Sequence, residues 1–371
     1  MERRAPRIYD NEIYKSFGEQ PPLFEIQLGY GLIPFVNQAD GALLLEEFEY
    51  CKNQIDAQYG IPLPHIHLRD NMTLEPLEYS ILFRGEEVGK AEAAKLGNYF
   101  CMDLGTVGKE LDNSNWKQLK EPAYDQACFI IPETEVAKYS KAGYICVTPE
   151  KIIGEHLVSI IKKYRTKILD QCMVNKLTEK VRINNPDVFS DVFFTNQFST
   201  SDMKILLNCL LDEEVSIRDM NTILEGIADY ISEEKNPLRL AEKVRGRLAY
   251  SFIRRYADEN KVLHIIRVSQ KLSELLAQEV YWPQSCIEHP YFALEPKLRK
   301  KVAKLVDECI NQLPDSIYPW VFVCVSDLRL PFSEFMHYQV PSAHVIADTE
   351  LYAVMEELDI QAEGELTLDG E

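Results

Sequence analysis

The chain has 371 residues, 46% of them hydrophobic, 10% aromatic and 27% charged. At roughly 150 residues per domain this predicts two to three domains, and it excludes a wholly disordered, collagenous or predominantly membrane-spanning polypeptide. Lys and Arg number 40 against 59 Asp and Glu, a formal charge of −19, so the average surface repels phosphate backbones and anionic headgroups and neither nucleic acid nor a lipid surface is expected as a partner.

No run approaches the eighteen or so apolar residues of a membrane helix, and the first twenty residues lack a signal-peptide core. Nine cysteines, several inside apolar runs such as Phe100-Cys101-Met102 and Val323-Cys324-Val325, read as small buried hydrophobes of a reducing compartment. The glycosylation triplet Asn71-Met72-Thr73 has meaning only in a secreted protein, and nothing else in the chain looks secreted.

Residues 1–22, polar and punctuated by Gly18 and Pro21-Pro22, read as a linker. A first strand is expected over Leu23 to Tyr30. A helix follows from Gly41 to Gln58, capped by Asp40, with Leu44, Phe48, Cys51 and Ile55 on one face. His65 to Arg69 alternates as a strand, and Tyr79 to Arg84 and Glu86 to Ala91 form a hairpin around Gly85. Strands at Tyr99 to Met102 and Ala127 to Ile131 flank a long loop. After a short helix, Glu133 to Lys141, comes the strand Tyr144 to Val147. Thr148 as N-cap and Pro149 at the first helical position then open a long helix to Leu169, with Ile152, Ile153, Leu157, Ile160, Ile161 and Tyr164 inward.

Beyond Pro186 the pattern turns helical, with Asp202 to Leu211, Arg218 to Ile231 and Pro237 to Tyr256. Strands at Val262 to Val268, Pro319 to Ser326 and His344 to Ala347, alternating with helices at Gln270 to Val280 and Glu295 to Leu313, predict a small α/β module. The end of the chain is acidic and reads as a disordered tail.

Catalytic chemistry is not legible. Gly105-Thr106-Val107-Gly108-Lys109-Glu110 has too few residues between its glycines for a phosphate loop and no Ser or Thr after the lysine. His65 and His67 share a strand face but have no further ligand at motif spacing, so two ordinary strand histidines are the reading. Glu155 and His156 are neighbours on a helix and point about 100° apart. The acid pairs are scattered. No enzyme, no cofactor and no metal site is expected, and the residues alone read as a binding protein of several modules.

Five ordered runs resemble one family. They are Leu28-Gly29-Tyr30-Gly31-Leu32-Ile33-Pro34; His67-Leu68-Arg69-Asp70-Asn71 with Leu74, Pro76, Tyr79 and Gly85; Glu121-Pro122-Ala123-Tyr124; Ala142-Gly143-Tyr144 with His156-Leu157; and Val215-Ser216-Ile217-Arg218-Asp219-Met220 through Thr222-Ile223-Leu224-Glu225 to Ala228-Asp229. Together they resemble the cytoplasmic domain of the export-gate protein of type III secretion and of its flagellar counterpart, the FlhA/SctV type. The likeness covers about Leu23 to Tyr256; beyond that only the order of elements agrees.

The resemblance implies an α+β multi-subdomain fold: a first α+β subdomain (23–99 and 148–170), an inserted second (100–147), a helical third (171–256) and an α/β fourth (257–350), then the acidic tail (351–371). It implies a non-enzymatic, homo-oligomeric ring, nonameric in the family, at the cytoplasmic face of the bacterial inner membrane. The membrane portion of the same chain would precede residues 1–22. The implied partners are secretion chaperones with their substrates, a gatekeeper and the stalk protein of a separate ATPase. Glu121, Tyr124 and Glu155 align with the partner-binding positions, where the family often has Asp, Phe and Thr. An aromatic anchor beside a register-fixing carboxylate suits such a site, although Tyr124 could instead belong to the core of the second subdomain. Ser216 and Asp219 fit the N-cap and N3 positions of a capping box, with Arg218 as a subdomain or protomer contact. An adaptor that forms no ring, or a nucleotide- or metal-dependent enzyme, are the alternatives.

Overall fold

A computed structural model describes residues 21–37, 41–105, 107, 111–314 and 317–368. The proposed linker up to residue 20 and the N-cap assigned to Asp40 lie outside the described residues. The chain divides into two units, Met1–Ile168 and Leu169–Glu371.

In the first unit, β1 (Phe24–Leu28) runs into a 3-10 helix (Tyr30–Val36), and α1 (Leu43–Tyr59), β2 (His67–Asp70), β3 (Glu78–Phe83) and β4 (Glu86–Glu92) follow. The sheet order is β2-β1-β3-β4, with β1 parallel to β2 and antiparallel to β3. Gly29 is required where β1 ends: a Cβ there would lie 2.1 Å from the Glu75 carbonyl oxygen and within 3.0 Å of two more, so the turn before β3 closes directly on the glycine backbone. α1 buries the expected Leu44, Phe48, Cys51 and Ile55, but it starts from Ala42 in the left-handed region (φ 51°), with no side-chain cap.

A second sheet, wholly antiparallel, has the order β6-β7-β5-β8, from β5 (Asn98–Met102), β6 (Lys117–Lys120), β7 (Ala127–Pro132) and β8 (Ile145–Val147), with α2 (Glu133–Ala142) between β7 and β8. β6 was not expected. Its sequence, Lys-Gln-Leu-Lys, has one apolar residue and carries almost no strand signal. α3 (Pro149–Ile168) buries Ile152, Ile153, Leu157, Ile160 and Ile161, at roughly 1.5–3 kcal/mol of hydrophobic stabilisation per side chain. Thr148 precedes it, yet its buried hydroxyl makes no hydrogen bond, so the expected cap is not formed by that side chain. α1 and α3 approach closely at Gly154, where a Cβ would meet Glu47 at 2.7 Å and Cys51 Sγ at 3.1 Å.

The second unit opens with helices: α4 (Gln171–Asn184), the short α5 (Pro186–Ser190) continued by a π-helical turn (Asp191–Thr195), α6 (Thr200–Asp212), α7 (Met220–Tyr230) and α8 (Pro237–Phe252), which ends in a 3-10 turn (Ile253–Tyr256). Then come β9 (Val262–Val268), α9 (Gln270–Gln278), the two-stranded ribbon β10 (Val280–Tyr281) and β11 (Tyr291–Phe292), α10 (Pro296–Asn311), β12 (Val321–Cys324), α11 (Ser326–Gln339), β13 (His344–Ala347) and β14 (Asp359–Leu366).

The sheet β13-β12-β9-β14 is parallel throughout. Its last strand lies within the acidic tail of 351–371 and corrects the expectation of disorder from Ala362 onward. Residues 359–366 alternate charged or polar with Ile360, Ala362, Gly364 and Leu366, pair with β9 along its length, and bury Leu366 in the core around Phe322 and Phe332. The acidity belongs to one face of an edge strand, where charge discourages pairing with another chain.

One ion network ties the helices of this unit to its sheet. Arg329 on α11, 1% exposed, pairs with both oxygens of Glu242 on α8 (2.5 and 2.7 Å) and with Glu213 (2.8 Å). Arg245 on α8 pairs with Glu350, which also accepts from the Ala347 amide at 2.8 Å. Burial alone would push the Glu213 carboxyl up; the Arg329 and Arg245 charges, with hydrogen bonds from Arg329 and Ser333, overcome it and hold it down at about 2.

Candidate functional site

The turn between β6 and β7 is built around a carboxylate. Glu121, 4% exposed, accepts hydrogen bonds from the Ala123 amide (2.8 Å, Oε1) and the Tyr124 amide (2.9 Å, Oε2). Its own amide donates to the Gln126 carbonyl at 2.7 Å, and the Asp125 amide donates back to the Glu121 carbonyl at 2.9 Å. Pro122 presets the backbone for such a turn, and Asp125 takes the left-handed φ of 60° that Asp tolerates. Asp125 also pairs with Lys120 across the turn.

This arrangement holds Tyr124 out. Its side chain is 68% exposed, so it is not the core residue of the alternative reading. Partial burial, then the Glu155 and Glu121 charges, push its hydroxyl pKa up. Glu121 and Tyr124 are held together by the turn itself, whereas Glu155 acts on the ring through its charge.

Glu155, on α3, is half-buried; burial, then the Glu150 and Glu155 charges, raise the Glu47 carboxyl of α1, and burial, then the charge and hydrogen bond of Glu47 and last the Glu155 charge, raise the Cys51 thiol to about 12. The Cys51 thiol donates to Glu47 at 3.7 Å. Next to Glu155 but on another face, His156 is buried and hydrogen-bonds Tyr79 at 2.9 Å through Nδ1, and burial holds its pKa down at about 4. It supports the sheet beneath the site.

Arg218 and Asp219 lie in the second unit. Asp219 is the N-cap of α7 rather than its N3 residue, accepting from the Thr222 amide (3.1 Å) and hydroxyl (2.7 Å). Ser216 sits one turn too early to cap the helix and accepts from the Arg218 amide at 3.4 Å. The Arg218 side chain is exposed.

His65 and His67 are exposed with ring centroids 6.0 Å apart, and His65 lies outside the strand. In the glycine-containing loop, Asp103 already accepts from the amides of Gly105 (2.8 Å) and Val107 (3.4 Å), while residues 106 and 108–110 lie outside the described residues.

The FHIPEP family model matches residues 6–356. The chain belongs to the FHIPEP family. This FHIPEP chain is 27% identical over 332 residues to the flagellar biosynthesis protein FlhA of Bacillus subtilis (strain 168), covering 90% of this chain and 48% of that protein. To FlhA of Treponema pallidum (strain Nichols) it is 31% identical over 288 residues, 76% of this chain and 40% of that protein. It thus spans about half the length of the curated relatives it matches.

Among solved structures the FHIPEP chain is similar to the Chlamydia pneumoniae CdsV protein, with a TM-score of 0.77 at 20% identity over 94% of this chain and 98% of that one. It is also similar to nonameric EPEC SctV-C, with a TM-score of 0.72 at 17% identity over 94% and 99%. These likenesses establish a mixed α+β fold of the SctV type. The family expected from the five runs is thereby shown. No helix of the described residues is long and apolar enough to cross a membrane.

Proposed function

We propose that this chain is the cytoplasmic part of an export gate, at the inner face of the bacterial inner membrane. In this reading it assembles into a ring and docks chaperone-substrate complexes and a gatekeeper on the Glu121 turn. The observation that carries the docking reading is the aromatic side chain of Tyr124, exposed on a turn whose buried carboxylate is fully engaged in holding it there. An aromatic ring fixed in place loses little entropy on binding, and Glu155 beside it supplies charge for orientation. The activity is one of binding and assembly, with no chemical step.

The division into four subdomains is part of the same proposal, with the antiparallel β6-β7-β5-β8 sheet as the inserted one. Ring formation is supported by the nonameric form in which SctV-C is solved. Arg218, exposed beside a helix cap, is assigned to a contact between protomers. CdsV is solved in complex with CdsO, and a corresponding partner, the ATPase stalk protein of the resemblance, is proposed for this chain.

The test is titration calorimetry of chaperone-substrate complexes from the same secretion system against the wild-type chain, Tyr124→Ala and Glu155→Lys. Tyr124→Ala should weaken binding by at least about tenfold, the range of an anchor residue, and leave the melting temperature unchanged because the side chain is exposed. Unchanged affinity in both variants would remove the docking assignment.

A further inference from the structure

We propose that Asp212, His289 and Glu334 form a binding site for a divalent transition-metal ion in the second unit. Asp212 ends α6, His289 sits in the connection between β10 and β11, and Glu334 is on α11. One ligand atom from each lies within 4.8 Å of the other two. A tetrahedral zinc ion bonds nitrogen and oxygen at about 2.0–2.2 Å, so side-chain adjustments that part His289 from Glu334 would bring the three donors around one ion. His289 and Glu334 are half-buried and Asp212 is exposed, so the site is open to solvent on the Asp212 side. Water would complete the coordination there.

The donor set selects the ion. One imidazole with two carboxylates suits zinc, cobalt, nickel or manganese, whereas calcium and magnesium prefer oxygen alone. Glu334 and His289 Nδ1 are now joined by a hydrogen bond, with one proton shared between them. A metal entering the site therefore displaces a proton. Glu213, adjacent in the chain, is held by Arg329 (2.8 Å) and Ser333 (3.1 Å) and does not compete as a ligand. The Arg329 charge is met in turn by Glu242 and Glu213. The three ligands come from three elements of this unit, so the ion would act as a clip between the end of the helical segment and the α11 face of the α/β part.

The experiment is calorimetric titration of zinc chloride into the chelator-treated, tag-free full chain, run in two buffers of different ionisation enthalpy. Expected are one ion per chain, net proton release, and affinity at least about tenfold weaker in Glu334→Gln and His289→Ala. Cys172→Ser, which removes an exposed thiol outside the cluster, should leave it unchanged. Magnesium should give no heat. Zinc binding that is absent, or untouched by either ligand variant, overturns the proposal. Cobalt substitution keeps the test decisive if His289→Ala does not fold: a thiolate charge-transfer band in the wild-type chain would place the ion on cysteine and refute the site.

Discussion

Replacing Arg329 by Met isolates the energetics of the ion network in the second unit. The guanidinium is 1% exposed and serves two carboxylates, Glu242 and Glu213. Its removal leaves both without their main counter-charge in a buried setting, a class of change that costs about 3–5 kcal/mol. The titration of Glu213 gives an independent figure: a fall from 4.5 to about 2 is worth about 3 kcal/mol. Because the folded pKa is depressed, this stability is fully present above about pH 4.5 and is lost as pH falls through about 2, with about 2 kcal/mol of it already gone at pH 3. Urea unfolding followed by tryptophan fluorescence in a Trp116→Phe background reads the second unit alone, through Trp282 and Trp320. Arg329→Met should lower its midpoint by about 1 M or more at pH 7, and the gap to wild type should narrow between about pH 5 and pH 3. A loss below about 1 kcal/mol at pH 7, or a gap constant with pH, would refute the reasoning.

Two further outcomes concern the first unit. Gly29→Ala should destabilise it by about 2–3 kcal/mol, because the new Cβ meets backbone oxygens that cannot move aside, as seen in the midpoint of Trp116 fluorescence on urea unfolding in a Trp282→Phe, Trp320→Phe background. His156 should stay neutral at pH 6 in the folded chain, its pKa held at about 4. The unit should therefore lose up to about 3 kcal/mol as pH falls from about 6.5 through 4, and His156→Gln should abolish that slope. An NMR titration placing the His156 ring near its ordinary value would end that expectation.

Strongly periodic segments were legible from sequence. β9 and β13 stand where the apolar runs place them, and α3 buries the expected isoleucines. Other elements were hidden for identifiable reasons. α11 carries Pro331 in its first turns, which interrupts the helical signal although the amide it removes is close to the unpaired ones of a helix start. β14 was masked by acidity, although its alternation was present. The ion network and the Asp212, His289 and Glu334 cluster join residues far apart in the chain, as with Arg329 and Glu213 at a separation of 116, and no local spacing encodes them.

The site residues show a finer limit. Sequence could place Glu121 and Tyr124 together, but not divide their labour. A carboxylate three residues before an aromatic reads as a pair presented to a partner; here both Glu121 oxygens are taken by amides of its own turn. The charge left to face a partner is that of Glu155, which acts together with Glu150 and against Lys151 on the Glu47 carboxyl of α1. In the proposed docking role this has a consequence for the partner. Where the family resemblance implies Thr, a partner can present an apolar or neutral surface; against Glu155 the same surface would strand a half-buried carboxylate, so a cognate partner must bring a cation to that position. Tyr124 would then supply affinity common to the family, and Glu155 the discrimination between this chain's partners and those of its relatives.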